Sequence, residues 1–241
     1  MPLGMLDAAR RIMQEDEDMF SETCRRDSFC LSCNRAYCSH CCFCHHVHLF
    51  DLSVLAKIDL DAGGRPVIPT HTAGPTGFRI QSCFAEGMAA QDYTTRLARD
   101  AFCLHCGKAF PADVCTHHDH ADEGLSDAVV RVVEHGGRRC VVCAGTESWT
   151  SHMDEALGDP VHVGEDEQGR YCELLPVLKI KPGTCRGCGA RGPYPPATHC
   201  SHACVQTHHR EIDERRRRRQ ARHAALGQGS KGNADALSVE P

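Results

Sequence analysis

Cysteine pairs with two residues between them constrain this chain more than any other feature. Cys30 and Cys33, Cys38 and Cys41, Cys103 and Cys106, Cys140 and Cys143, and Cys185 and Cys188 are all so spaced. Such a pair bends through a tight turn that aims both sulfurs at one ion, and two pairs, or one pair with two histidines, close a tetrahedron around it. The chain holds 18 cysteines and 17 histidines, while aromatic residues make up only 5%. So few large apolar side chains predict a thin core that needs covalent or metal staples.

Disulfides and metals are separated by context. The first twenty residues contain no apolar stretch of the kind a secretory signal needs. No run approaches the roughly 20 apolar residues of a membrane span. Reduced thiols are therefore expected, and clustered cysteines in a reducing compartment bind metal or do redox work. Histidines interleaved at ligand spacing favour metal.

An internal repeat organises the middle of the chain. Phe29-Cys-Leu-Ser-Cys33-Asn-Arg-Ala36-Tyr37 aligns with Phe102-Cys-Leu-His-Cys106-Gly-Lys-Ala109-Phe110 at an offset of 73 residues. The same offset lays Cys42 on Cys115, His45 on His118, and Gly63-Gly64-Arg65 on Gly136-Gly137-Arg138. Each copy reads as a metal knuckle followed by two short strands around a Gly-Gly turn. In the second copy Pro111 and Val114 replace Cys38 and Cys41, so one of its two sites has decayed. Cys103, Cys106, His117 and His120 can still make a Cys₂His₂ site, with Cys115 and His118 competing for the same places.

The third cluster, Cys185-x₂-Cys188-x₁₁-Cys200-x₃-Cys204, is a self-contained four-ligand set. Gly187 and Gly189 permit its tight turn. Ser201 is placed to cap a helix whose first turn holds Cys204, where the helix dipole favours a thiolate. Cys140 and Cys143 fall within a valine-rich hairpin; they read equally well as a further site, completed by His135, His152 or Cys172, or as buried small residues.

These signals divide the chain into a flexible N-terminus (1–19) that is loose or a frayed helix, a first zinc unit (20–72), a second, degenerate unit (78–145), an acidic loop (146–170), a C-terminal zinc module (171–205) with a strand over 171–181, a basic helix (206–226) and a disordered tail (227–241). The fold class is α+β. The formal charge of −5 is uneven: residues 205–241 carry eight Lys/Arg against five Asp/Glu. Arg215, Arg216, Arg217, Arg218 and Arg219 are consecutive, a run that reads as an import signal or a phosphate-contacting helix. The alternative is a solvated helix laced by Glu211/Arg215, Asp213/Arg217 and Glu214/Arg218 pairs at i,i+4.

The order of ligands in residues 24–48 resembles the B-box, a cross-braced zinc module. That resemblance implies one site of Cys30, Cys33, His45 and His48 and another of Cys24, Asp27, Cys38 and Cys41, with Cys42 or Cys44 as alternatives to Cys24 or Asp27. The succession of Phe102-Cys-Leu-His-Cys106, His117-x₂-His120, Asp127-Ala-Val-Val-Arg131, Val177-Leu-Lys-Ile-Lys181 and the last four cysteines resembles the plant AT-rich sequence and zinc-binding (PLATZ) family. The resemblance runs from about Phe20 to His208. It implies a nuclear regulator of transcription that prefers A/T-rich DNA and partners the transcription machinery.

One ion per ligand set gives about four structural Zn²⁺. The convincing sets are closed, and no P-loop, dinucleotide-binding glycine motif or nucleophile elbow is present, so no enzyme and no small-molecule substrate are expected. A B-box-type protein–protein module without DNA contact, with the arginine run serving only for import, is the alternative.

Overall fold

The computed structural model describes residues 3–15, 19–42, 54–73, 77–112, 128–166, 168–181, 183–192 and 197–229. The chain forms two compact units: Glu17–Arg131, and Met1–Asp16 together with Val132–Pro241.

The first of these contains strands β1 (Thr23–Cys24), β2 (Ser28–Cys30), β3 (Arg35–Tyr37), β4 (Leu55–Lys57), β5 (Asp59–Leu60) and β6 (Pro66–Val67), helix α1 (Ser82–Ala89), and strands β7 (Leu97–Ala98), β8 (Ala101–Cys103) and β9 (Lys108–Phe110), and it takes in the start of β10 (Val129–His135). The duplication is written in its backbone register. Phe29 pairs with Ala36 across β2 and β3, and Phe102 pairs with Ala109 across β8 and β9. Each central strand also carries a third: Phe29 faces Ala56 of β4, and Phe102 faces Val130 of β10. The knuckles and their paired strands keep the 73-residue offset, but the third strands stand 74 apart, as do the hydrogen bonds Leu31 N–H to Val54 O and Leu104 N–H to Ala128 O. One extra residue therefore lies between positions 112 and 128 of the second copy.

The knuckle turn needs a left-handed residue, and the two copies meet that need differently. Asn34 has φ +52° and Gly107 has φ +62°. Asparagine and glycine are the residues that adopt this conformation at least cost. Phe29, Ala36, Ala56, Ile58, Met88 and Tyr93 form one buried cluster around the first copy.

The copies face each other across a short ladder. In β1 and β7, Cys24 pairs with Leu97, the residue 73 positions on. Equivalent residues opposite each other in an antiparallel pair mark a local pseudo-twofold axis, the arrangement expected when two related surfaces associate symmetrically.

The other unit holds helix α2 (Leu3–Glu15), the rest of β10, β11 (Arg138–Cys143), β12 (His162–Glu165), β13 (Tyr171–Pro176) and the long helix α3 (His202–Gly229). Strands run in the order β12–β13–β11–β10. Gly136 and Gly137, at φ +57° and +70°, make the two-residue hairpin turn between β10 and β11. The expected strand over 171–181 ends at Pro176, which cannot donate a ladder hydrogen bond.

Three segments differ from their sequence reading. The N-terminus, read as loose or a frayed helix, is a regular helix from Leu3 to Glu15, because Leu6, Ala9 and Met13 share one buried face. Residues 146–170 contain a short 3₁₀ turn, Thr150–His152, and the strand β12. The basic helix starts at His202 and runs through Gly227 to Gly229.

Candidate metal centre and the arginine helix

Cys185, Cys188, Cys200 and Cys204 each offer a sulfur within 4.8 Å of the others. Local hydrogen bonds build this arrangement. Gly189 N–H donates to Cys185 O at 2.8 Å and Cys185 N–H to Ala190 O at 2.9 Å, which closes the first turn. Cys200 N–H donates to the Cys185 sulfur at 3.3 Å. Ser201 Oγ accepts from Cys204 N–H at 3.2 Å, so Ser201 is the helix cap and Cys204 sits in the first turn. Gly187 is required by space: a Cβ there would lie 2.4 Å from the Cys204 carbonyl oxygen. The Cys200 N–H brings the Cys185 thiol down to about 6, while the Cys204 side chain, with those of Cys185 and Cys188, pushes Cys200 up to about 12. Crowded sulfurs sharing protons in this way fit a divalent cation, which replaces the protons.

The second cluster is Cys24, Cys38 and Cys41, all buried and also within 4.8 Å of one another. Hydrogen bonds from Cys38 and Cys41 hold the Cys24 thiol far down, against burial and with help from Arg99. Those same contacts, to Cys24 first, drive Cys41 far up. These two clusters could each hold a metal ion.

Asp27 does not join the second cluster. Its Oδ1 accepts Ser39 N–H at 2.7 Å and its Oδ2 accepts Ser39 Oγ–H at 2.6 Å. Asp100, its equivalent at +73, accepts Ala112 N–H at 2.7 Å, and Ala112 is the equivalent of Ser39. The second copy has lost its three cysteines here, to Leu97, Pro111 and Val114. An aspartate that keeps the same bond without them is a clamp on the chain after the knuckle, not a ligand. Cys42 is disulfide-bonded.

Cys30 with Cys33, and Cys103 with Cys106, form matching knuckles, in which the second cysteine's N–H donates to the first sulfur at 3.4 and 3.3 Å. Burial and then the neighbouring Cys30 push Cys33 up to about 11. The histidines expected to complete these sites, His45, His48, His117 and His120, lie outside the described residues, as do Cys44, Cys115 and His118.

Cys140 and Cys143 do not share a site. They lie three apart on β11, so their side chains leave opposite faces of the sheet. Cys143 stands opposite Glu173, and burial followed by Glu147 pushes its thiol up to about 12. A buried, protonated thiol is not a redox nucleophile.

The arginine run binds the protein's own acids. Arg219 Nη1 meets Asp154 Oδ1 at 2.6 Å, with the two side chains only 6% and 2% exposed. Arg216 Nε reaches the other Asp154 oxygen at 2.7 Å. Arg218 pairs with Asp159 at 2.7 Å, Arg222 with the fully buried Glu173 at 3.0 Å, and Arg215 donates to the Asp154 carbonyl at 3.3 Å. The expected i,i+4 pairs are displaced by these longer-range partners: Asp154 and Asp159 from the segment read as an acidic loop, and Glu173 from β13. Arg217 is exposed, and it is the one member of the run without an acceptor among the described residues.

Comparison with known protein families, with curated proteins and with solved structures finds no match to this chain. The PLATZ and B-box resemblances therefore rest on the motifs alone.

Proposed function

We propose that this protein is a zinc-stapled interaction module that acts by binding another protein, with no chemistry of its own. The observation that carries this reading is the neutralised arginine helix. Affinity for nucleic acid comes mainly from cations free to displace counterions from phosphates. Here Arg216, Arg218, Arg219 and Arg222 are ion-paired within their own unit. Each would meet a phosphate with its charge already balanced by a carboxylate.

Zinc is the metal these donors suit. Four thiolates in a closed set are a structural zinc site, and saturation by protein sulfur leaves no position for a substrate. A partner has a place to dock at β12, the outermost strand of its sheet, where Val163, and Val161 just before the strand, are 49% and 38% exposed. Outer strands of this kind accept an extended segment of another chain.

A nuclear regulator that binds A/T-rich DNA, as the PLATZ resemblance implies, is the second reading. Arg210 and Arg217 favour it: both are exposed and lie two helical turns apart on one face of α3. Titration of metal-loaded protein with A/T-rich and G/C-rich duplexes across a salt series separates the two. The interaction-module reading expects weak binding with a shallow salt slope and no base preference. Tight, A/T-selective binding with a steep salt slope, weakened by Arg217→Ala, would overturn it.

A further inference from the structure

We infer that Cys24, Cys38 and Cys41 form a three-thiolate metal site whose counter-charge, Arg99, is supplied by the other copy of the repeat. This deepens the metal reading above and rests on it.

Three observations carry the inference. The first is coordinated loss. At the offset of 73 residues, Leu97, Pro111 and Val114 stand where Cys24, Cys38 and Cys41 do. All three sulfurs are missing from the second copy, while its knuckle, its strand register and the Asp100 clamp persist. Residues that are present together in one copy and absent together from the other act as one unit, and three converging thiols are a donor set that suits a metal ion.

The second is the placement of charge. Arg99 is a buried cation, 7% exposed. Its Nε donates to the Cys24 sulfur at 3.1 Å, its Nη1 to Met19 O at 2.9 Å, and its Nη2 to His40 Nδ1 at 3.1 Å. Glu22 meets Nη1 at 2.8 Å from the solvent side. Four partners fix the guanidinium against the sulfur. Three thiolates around a divalent cation carry one net negative charge, and a buried charge needs a partner. Arg99 supplies it.

The third is the pseudo-twofold pairing. Arg99 follows directly after β7, and β7 pairs with β1, which carries Cys24. The ladder that joins the copies is therefore what delivers Arg99 to the sulfur. Its equivalent in the first copy, Arg26, instead donates to the Asp92 carbonyl at 3.1 Å. The copy that kept the cysteines borrows its counter-charge from the copy that lost them.

Outer-shell partners of metal ligands typically change affinity by about 10–100-fold. The test uses full-length protein, loaded with Zn²⁺ or Co²⁺, and competition with a chelator, with retained metal counted per chain. Cys38→Ser should lower the count by one and remove part of the thiolate-to-Co²⁺ charge-transfer band. Arg99→Met should weaken retention at this site roughly 10-fold or more, Arg99→Lys should restore part of it, and Asp27→Asn should keep the metal. The Cys185, Cys188, Cys200 and Cys204 site serves as an internal reference. An unchanged count in Cys38→Ser, or equal retention in Arg99→Met and wild type, would overturn the inference. So would parallel loss from both sites in Arg99→Met, which would make Arg99 a general folding residue. Wild type that holds metal at neither site would instead retire the metal reading as a whole.

Discussion

Replacing Cys200 with serine is expected to remove one metal ion per chain and to unfold the segment from Thr184 to the start of the long helix. Cys200 is the hub of its site. Its sulfur lies 3.7 Å from that of Cys188 and 3.4 Å from that of Cys204, and its N–H donates to Cys185. Outside the sulfurs, the segment is tied down chiefly through Arg186, which pairs with Glu155 at 2.8 Å and donates its N–H to Thr198 O at 3.0 Å. Cys188 and Cys200 are exposed, and of the four only Cys185 is buried. Binding energy for structural zinc in small modules is roughly 10–16 kcal/mol at neutral pH and appears directly as folding energy. Elemental analysis and thermal melts with and without chelator check the expectation. Wild type should lose a transition on chelation, and the variant should lack that transition from the outset. Cys83→Ser, at an exposed cysteine outside both clusters, should match wild type.

Asp154→Ala is the second large effect. Asp154 is 2% exposed and holds two arginines, one on each oxygen, with Arg219 itself 6% exposed. Removing one member of a buried ion pair strands the other charge away from water, which costs about 3–5 kcal/mol. The expected result is loss of that order in chemical denaturation, with the long helix released from its unit and more susceptible to proteolysis. Asp159→Ala is the contrast. Its pair with Arg218 is about half exposed on both sides, and surface pairs are worth only about 0–1 kcal/mol. Comparable destabilisation by both variants would show that the arginines do not dock the helix through Asp154.

How far sequence reached depends on how local each feature is. The Cys185–Cys204 site and its Ser201 cap were readable because all their determinants fall within twenty residues and follow backbone rules. The knuckle repeat was readable for the same reason. The one-residue slip from 73 to 74 was not, since it is expressed only in which strand residues pair. Asp27 imitates a ligand because it follows Cys24 at the spacing of a Cys-x₂-Cys pair. The repeat itself held the corrective sign: the offset that aligns the knuckles places Asp100 under Asp27, in a copy without the three cysteines. Two features left no local trace. Arg99 lies 75 residues from the sulfur it touches. The arginine run had acids at i,i+4 as plausible partners, yet the buried carboxylates of Asp154 and Glu173, with the half-exposed Asp159, some 50 to 65 residues away, take most of the charge. Buried acids outcompete exposed neighbours because low dielectric strengthens the attraction and leaves both charges few alternatives.

The most direct test of the central claim is the metal content of the full-length protein purified without added metal, by native mass spectrometry alongside elemental analysis. The account predicts zinc bound at two or more ions per chain, released in steps by a chelator with loss of folded signal at each step. A chain that carries no metal, and that melts identically with and without chelator, would contradict it.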